Sequence, residues 1–209
     1  MIFSELKVSE YAEAVAKGSP TPGGGSVSAV VAGLSAALIG MVGSLTASRI
    51  SGDDDTAKTV LEAVNTAGNL RADLLVLAEE DAAAYDKVIA AFRLPKTTEE
   101  EKQNRVLAIQ DAFKEACRVP AQVMKASLEV LRLSEIMMKH GMKSALSDVA
   151  VSCLVAWAGM RGAHFNIKIN LPSIKDKSFV RRMEDDIGDW MLSGIGIFRR
   201  VMDQIDQDL

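Results

Sequence analysis

Residues 26–49 read SVSAVVAGLSAALIGMVGSLTASR, a run of apolar and small residues with no charge before Arg49. Its pattern predicts one long helix. Small residues recur along it in steps of four and three, which puts them on one helical face. They permit close packing against a second helix, and we favour that interpretation over room for a flat ligand. The stripe consists of Ser26, Val30, Gly33, Ala37, Gly40 and Ser44.

The uncharged stretch from Ser19 to Ser48 is also long enough to span a bilayer. It opens with two prolines and three glycines, further glycines and serines dilute its helical part, and no aromatic residues flank it. We therefore interpret it as a fully buried helix of a soluble bundle. The alternative is a membrane-embedded protein that uses residues 26–48 and 142–163 as spans.

The rest of the chain has the same helical periodicity. The segment 164–171 alternates polar and apolar residues, as a strand does, but a lone strand would have nothing to pair with, so we prefer helix. Pro120 is expected to kink or restart the helix that contains it. We expect an all-α, single-domain bundle of six to seven helices over residues 1–209. Besides 26–49, the predicted helices cover about 3–17, 56–92, 98–140, 142–168 and 177–207.

Composition narrows the function classes. The net charge is −4 and no block of Lys and Arg stands out, so we expect no nucleic-acid partner. Cys117 and Cys153 lie in helical apolar patterns and are expected to be buried thiols in a reducing compartment. With two histidines and no metal-ligand spacing, no zinc site is expected. The N-terminus lacks the order of a signal peptide.

The segment PTPGGGS at 20–26 is the first candidate for a binding site. Gly23, Gly24 and Gly25 let the backbone approach a ligand closely, and the helix that follows offers free N–H groups to a carboxylate or phosphate. The segment is not a nucleotide-binding loop, because no GK[ST] follows and no strand precedes it. The alternative is a tight turn with Ser26 as the helix N-cap.

A second candidate is one face of the helix after residue 142. It carries an acid, a hydroxyl, two glycines and two carboxamides, and it lacks the Lys and Glu of an ordinary exposed face. We interpret it as a pocket wall; the alternatives are a polar seam of the bundle and an exposed face. Its members are Asp148, Ser152, Val155, Gly159, Gly162, Asn166 and Asn170.

The third candidate is the acidic stretch at 79–86, with Asp81 and Tyr85 one helical turn apart. Such clusters are usually solvated helix faces, and taken alone this one favours that interpretation. Downstream, Arg93 and Lys96 are either anion clamps or cations that suit a helix C-terminus.

Together these stretches resemble the formimidoyltetrahydrofolate cyclodeaminase family, which includes stand-alone bacterial methenyltetrahydrofolate cyclohydrolases. The resemblance covers nearly the whole chain, in order. It rests on PTPGGGS at 20–26, Asp81-Ala82 with RLPK at 93–96, Ser147-Asp148, and FNIKINL at 165–171. In two places the chain departs from the family pattern. Ala145-Leu146 stand where a basic residue is expected, and Lys168 stands where an apolar residue is common, which leaves the choice of substrate open.

The resemblance implies a homodimeric, cytoplasmic folate enzyme with no cofactor beyond its tetrahydrofolate substrate, active in one-carbon metabolism and histidine degradation. It also implies an essential aspartate, carried onto Asp148, that would move a proton while a ring closes and ammonia leaves. Cyclohydrolase activity is one alternative, and a non-enzymatic helical interaction module is another. The implied substrate-binding residues are Gly23, Gly24, Gly25, Ser26, Asp81, Arg93, Lys96, Ser152, Asn166 and Asn170.

Overall fold

The computed structural model describes residues 2–50 and 55–209, and all regular structure within those ranges is helical. The all-α prediction is confirmed, and residues 164–170 are helical. The α-helices are α1 (Val8–Ala16), α2 (Gly24–Ala47), α3 (Asp55–Arg93), α4 (Glu99–His140), α5 (Leu146–Asn170) and α6 (Lys177–Asp208). Short 3-10 turns cover Phe3–Glu5, Lys143–Ala145 and Leu171–Ser173.

Local sequence explains where α4 begins and why it continues past its proline. The Thr98 hydroxyl accepts a hydrogen bond from the Glu101 amide at 3.1 Å, and the Glu101 carboxylate accepts one from the Thr98 amide at 3.0 Å. Helix α4 does not restart at Pro120, because Glu99–His140 is helical throughout. Pro120 cannot donate to the carbonyl of Ala116 four residues earlier. The Asn170 Nδ2 atom donates to that carbonyl instead, at 3.2 Å.

Helices α2, α3, α4 and α5 form the bundle, and α6 packs on α4 and α5. Helix α2 runs antiparallel to α3, since Gly33 lies beside Leu74 and Gly40 beside Ala67. Alanine Cβ atoms built at these glycines would lie 3.6 and 4.0 Å from the neighbouring Cβ atoms, so the small-residue stripe does serve close packing. The largest fully buried side chains include Ile39, Leu74, Met124, Leu131, Met137, Met160 and Ile167.

The prediction that α2 is fully buried is wrong for one side of the helix. Leu34, Met41 and Leu45 are 58%, 40% and 45% exposed. Helix α5 runs antiparallel to α2 and exposes Val151, Leu154 and Phe165. By helical geometry both sets point to the same side of the molecule. We call these six residues the apolar face.

The described helices differ in whether their length and hydropathy would allow them to span a membrane. Among them, Gly24–Ala47 alone is long and apolar enough to cross a bilayer, and the core helix of a soluble protein has the same properties. Helix α5, the other proposed span, does not qualify. The two cysteines are buried free thiols as expected, and burial raises the pKa of each to about 12.

Candidate functional site

The carboxylate of Asp81 lies directly against Gly25, in the first turn of α2. A Cβ atom at position 25 would overlap the carboxylate, so only glycine allows this approach. Gly23 is the N-cap of helix α2. It has no side chain, so it cannot accept a capping hydrogen bond from the first turn of the helix. The Ser26 amide instead hydrogen-bonds to Asp81, which brings the carboxylate from α3 to the positive end of α2.

Burial is the dominant influence on Asp81. It raises the pKa of the carboxyl above its ordinary value, and the hydrogen bond from the Ser26 amide opposes this only in part. The acidic stretch of α3 is therefore divided. Glu80 and Asp86 are solvated, while Asp81 turns inward onto residues 23–26, which we call the glycine segment. A carboxyl of this kind can accept and return a proton closer to neutral pH than an exposed aspartate can.

Tyr11 of α1 lies beside the cluster that Gly25, Ser26 and Asp81 form. Its hydroxyl oxygen lies 2.9 Å from the Ser26 hydroxyl oxygen, at hydrogen-bond distance. Burial raises the pKa of the phenol, and the nearby Asp81 charge adds to the effect, so the proton stays on Tyr11. Tyr11 was not among the candidate site residues named from the sequence. The feature of the sequence that could have indicated its role is a phenol hydroxyl on an otherwise apolar helical face, shortly before the glycine segment.

Asn166 reaches the glycine segment from α5. Its Nδ2 atom would lie 3.8 Å from a Cβ atom at Gly24 and donates to the Gly162 carbonyl at 2.9 Å. Within the described residues no donor satisfies Asn166 Oδ1, so this oxygen is available to a ligand. The structure thus brings together Gly23, Gly24, Gly25, Ser26, Asp81 and Asn166, with Tyr11 added.

Much of the predicted polar wall on α5 is a packing seam against α2. Ser152 is fully buried, and its hydroxyl donates to the Ser35 carbonyl at 3.0 Å while the Ser35 hydroxyl donates back to the Ser152 carbonyl at 2.8 Å. A Cβ atom at Gly159 would lie 2.8 Å from the Ser28 carbonyl oxygen. The Asn170 Nδ2 atom donates a hydrogen bond to the Ala116 carbonyl of α4. The side chains of Ser152 and Asn170 therefore make contacts between helices of this chain.

Asp148 lies apart from the glycine segment. It is partly buried in the first turn of α5, whereas Asn166 lies in the last turns. Their separation of 18 residues along α5 corresponds to about 27 Å of helix. Within one chain, Asp148 and the glycine segment cannot contact the same small molecule through their side chains alone.

Arg93 and Lys96 lie at the far end of α3. Arg93 lines a hollow of about 400 Å³ with Pro20, Tyr85 and Asp86, and Lys96 is exposed in the segment that follows. Arg93 is 12 residues beyond Asp81, or about 18 Å along the helix. A groove of about 540 Å³ lies next to this hollow, since Asp86 lines both, and Phe3, Lys17, Thr21 and Glu79 are among its other lining residues. An extended ligand could lie along α3 here.

In residues 2–50 and 55–209, no group of three His, Cys, Asp or Glu side chains could hold a metal ion. What the cluster offers is a carboxyl of raised pKa, two hydroxyls, a free amide oxygen and a glycine-lined helix start. Together they can exchange protons with a bound molecule and stabilise a positive charge on it.

Comparison with known proteins identifies the family. The family model described as formiminotransferase-cyclodeaminase matches residues 7–189. The chain belongs to this family. The matched range contains the glycine segment, Asp81, Asp148 and Asn166.

Individual relatives point to two related activities. A methenyltetrahydrofolate cyclohydrolase of Methylorubrum extorquens is 36% identical over 174 residues, which cover 82% of each chain. The formimidoyltransferase-cyclodeaminase of Rattus norvegicus is 36% identical over 163 residues, and the match spans 77% of this chain but 30% of the rat protein. The crystal structure of a formiminotetrahydrofolate cyclodeaminase from Thermotoga maritima superposes with a TM-score of 0.87, at 28% identity and 98% coverage of both chains.

Proposed function

We propose that this protein is a formimidoyltetrahydrofolate cyclodeaminase, which converts 5-formimidoyltetrahydrofolate to 5,10-methenyltetrahydrofolate and ammonia. The observation that carries the proposal is the Asp81 carboxylate, held against Gly25 at the start of α2 with its pKa raised. Membership of the family supplies the substrate class. It also favours an enzyme over a non-enzymatic interaction module.

The reaction requires a group that moves protons in both directions. The N10 amine attacks the formimidoyl carbon, and the N10 proton must reach the nitrogen that leaves as ammonia, with a second proton from solution. Asp81 would take the N10 proton and deliver it to the leaving nitrogen, since a raised pKa suits both steps. The ionised carboxylate would also stabilise the methenyl cation. The Tyr11 and Ser26 hydroxyls, 2.9 Å apart, would relay the second proton from solution to the leaving nitrogen.

Substrate binding follows from the groups around Asp81. Asn166 Oδ1 would accept a hydrogen bond from the pterin edge, and Gly23, Gly24 and Gly25 would let the ring approach the backbone. The carboxylate tail would extend along α3 towards Arg93 and Lys96. We propose that no cofactor is needed beyond the tetrahydrofolate substrate, because the reaction has no redox step. A cytoplasmic location is part of the proposal.

We further propose that the enzyme is a homodimer and that Asp148 acts from the second copy. The apolar face is the supporting observation, because α2 carries no charge and exposes Leu34, Met41 and Leu45. Two copies packed there with α2 antiparallel to its partner would bring the Asp148 end of one chain to the glycine segment of the other. Leu34→Glu should convert the dimer to a monomer in sedimentation analysis. Glu62→Gln, an exposed change on α3, should leave the dimer intact.

Complementation tests the shared site. Asp81→Asn and Asp148→Asn should each be inactive alone. When the two are mixed and exchanged, about a quarter of wild-type activity should return, because half of the dimers are mixed and each of these has one intact site. No recovery from dimers that demonstrably exchange subunits would contradict the shared site.

Turnover tests the proposed function itself. Purified protein is given enzymatically generated 5-formimidoyltetrahydrofolate, and methenyl absorbance and ammonia are followed together. Gain of both supports the cyclodeaminase. Cyclohydrolase activity is the second candidate, favoured by the Methylorubrum extorquens relative that matches over 82% of both chains. In that case added methenyltetrahydrofolate is lost faster than it decays spontaneously, without ammonia. Folded protein that is silent in both assays would contradict both activities.

A further inference from the structure

A separate hollow lies between the end of α5, the 3-10 turn that follows it, and α6. Its volume is about 480 Å³, which is within the usual range for small-molecule pockets. It lies on the other side of α5 from the glycine segment, since Asn166 faces α2 while His164 and Lys168 face α6. The lining residues are His164, Lys168, Leu171, Pro172, Lys177, Val180, Glu184, Ile187, Gly188 and Met191.

The floor of the hollow is apolar and open. Leu171 and Ile187 are each 7% exposed and belong to the main core, so they form a rigid base. Gly188 on α6 leaves a gap, because a Cβ atom there would meet nothing within 4 Å. An apolar floor with unfilled space favours a flat or branched apolar group.

The charged groups of the hollow are mainly cationic. Lys168 and Lys177 line it together with one acid, Glu184. In the described part of the chain, no carboxylate lies within 4 Å of either ammonium group, so both are available to an anion.

His164 adds a directed donor. Its Nδ1 atom is buried without a partner, so the ring is most stable with its proton on Nε2, the nitrogen that keeps solvent access. Burial and the charges of Arg161 and Lys168 lower the pKa of His164, which keeps the imidazole neutral. A neutral ring with its proton on Nε2 can donate one hydrogen bond. It carries no positive charge, so anions from the solvent are attracted to the two lysines and not to the ring.

We propose that this hollow is a second binding site, which takes a small aromatic carboxylate between Lys168 and Lys177, independently of the folate site. The ring would lie over Leu171, Ile187 and Gly188. The carboxylate would pair with the two ammonium groups and accept a hydrogen bond from His164. Charge complementarity argues for an anion, and the apolar floor argues for an aromatic one over inorganic phosphate.

The probe is 2-naphthoate, with 2-naphthamide as its uncharged match, and binding is measured by calorimetry on the full chain. Naphthoate should bind at least tenfold more tightly than the amide. Lys168→Gln and Lys177→Gln should each weaken naphthoate binding about tenfold, as loss of a charge-assisted contact does. Lys175→Gln, an exposed change in the same segment, should have no effect. Gly188→Leu should fill the floor and abolish binding while the protein remains folded.

Three results would overturn the proposal. One is equal binding of naphthoate and the amide with no response to the lysine variants. Another is displacement of naphthoate by tetrahydrofolate together with sensitivity to Asp81→Asn, which would assign the probe to the folate site. The third is no binding up to the solubility limit of the probe. Turnover of folate plays no part in the measurement, so the result is independent of the proposed activity.

Discussion

Replacing Gly25 by alanine moves the Asp81 carboxylate without removing it. The new Cβ atom would overlap the carboxylate, which must withdraw by roughly 1.5 Å to restore ordinary van der Waals contact. A displacement of this size in a reacting group lowers turnover on the order of 100-fold. Stability should change by no more than about 1 kcal/mol, because the carboxylate is a flexible end and alanine favours helix. We therefore expect kcat/KM to fall about 100-fold in the methenyl absorbance assay, with little change in Tm.

Gly33→Ala is the matched control. Gly33 is also buried in α2, but its Cβ atom would lie 3.6 Å from Leu74 Cβ, an ordinary contact. This variant should keep wild-type kcat/KM, and its Tm should not fall. Full activity in Gly25→Ala would refute the role of the Asp81 position. Equal losses in both variants would show that any added methyl group on α2 disturbs the enzyme, and would refute the reasoning as well.

Three further predictions concern the same cluster and the stability of α3. Tyr11→Phe removes the hydroxyl that hydrogen-bonds with Ser26, so kcat should fall roughly tenfold. The free energy of unfolding measured in urea should fall by about 1 kcal/mol. An unchanged kcat would exclude the proton relay. Burial raises the pKa of Asp81, so folding stability should decrease as pH rises through that pKa, and urea unfolding of Asp81→Asn should lack this slope. The acidic limb of the kcat/KM profile should likewise lie above the range of an exposed aspartate. Gly68→Ala should stabilise the protein by about 0.5–1 kcal/mol in thermal unfolding, because its Cβ atom meets nothing within 4 Å; destabilisation would contradict the open environment of Gly68.

Helical periodicity was sufficient for the fold class. Local signals such as the Thr98 and Glu101 capping pair act within a few residues and can be recognised in the sequence. The close packing of α2 on α3 also follows from the spacing of Gly33 and Gly40. The sequence placed the glycine segment and Asn166 in one site through the family resemblance, and the structure brings them together.

Tertiary pairing is what the sequence did not reveal. Asp81 is 56 residues from Gly25, and nothing in its own stretch distinguishes it from its solvated neighbours. The polar residues of α5 recur regularly along one face of that helix. Whether this face lines a cavity or packs on another helix depends on α2, where the Ser35 carbonyl accepts a hydrogen bond from the Ser152 hydroxyl. Asn170 looked like a ligand-binding amide because its partner, the carbonyl left free by Pro120, lies 54 residues away.

The role of Asp81 can be tested most directly by comparing Asp81→Asn with Asp73→Asn under saturating 5-formimidoyltetrahydrofolate. Both changes remove one aspartate from α3, but Asp73 is exposed and lies outside the cluster. We predict that Asp81→Asn remains folded yet loses at least 100-fold in kcat for methenyl and ammonia formation, while Asp73→Asn matches the wild type. Wild-type kcat in a folded Asp81→Asn protein would contradict the proposal that this carboxylate moves the proton.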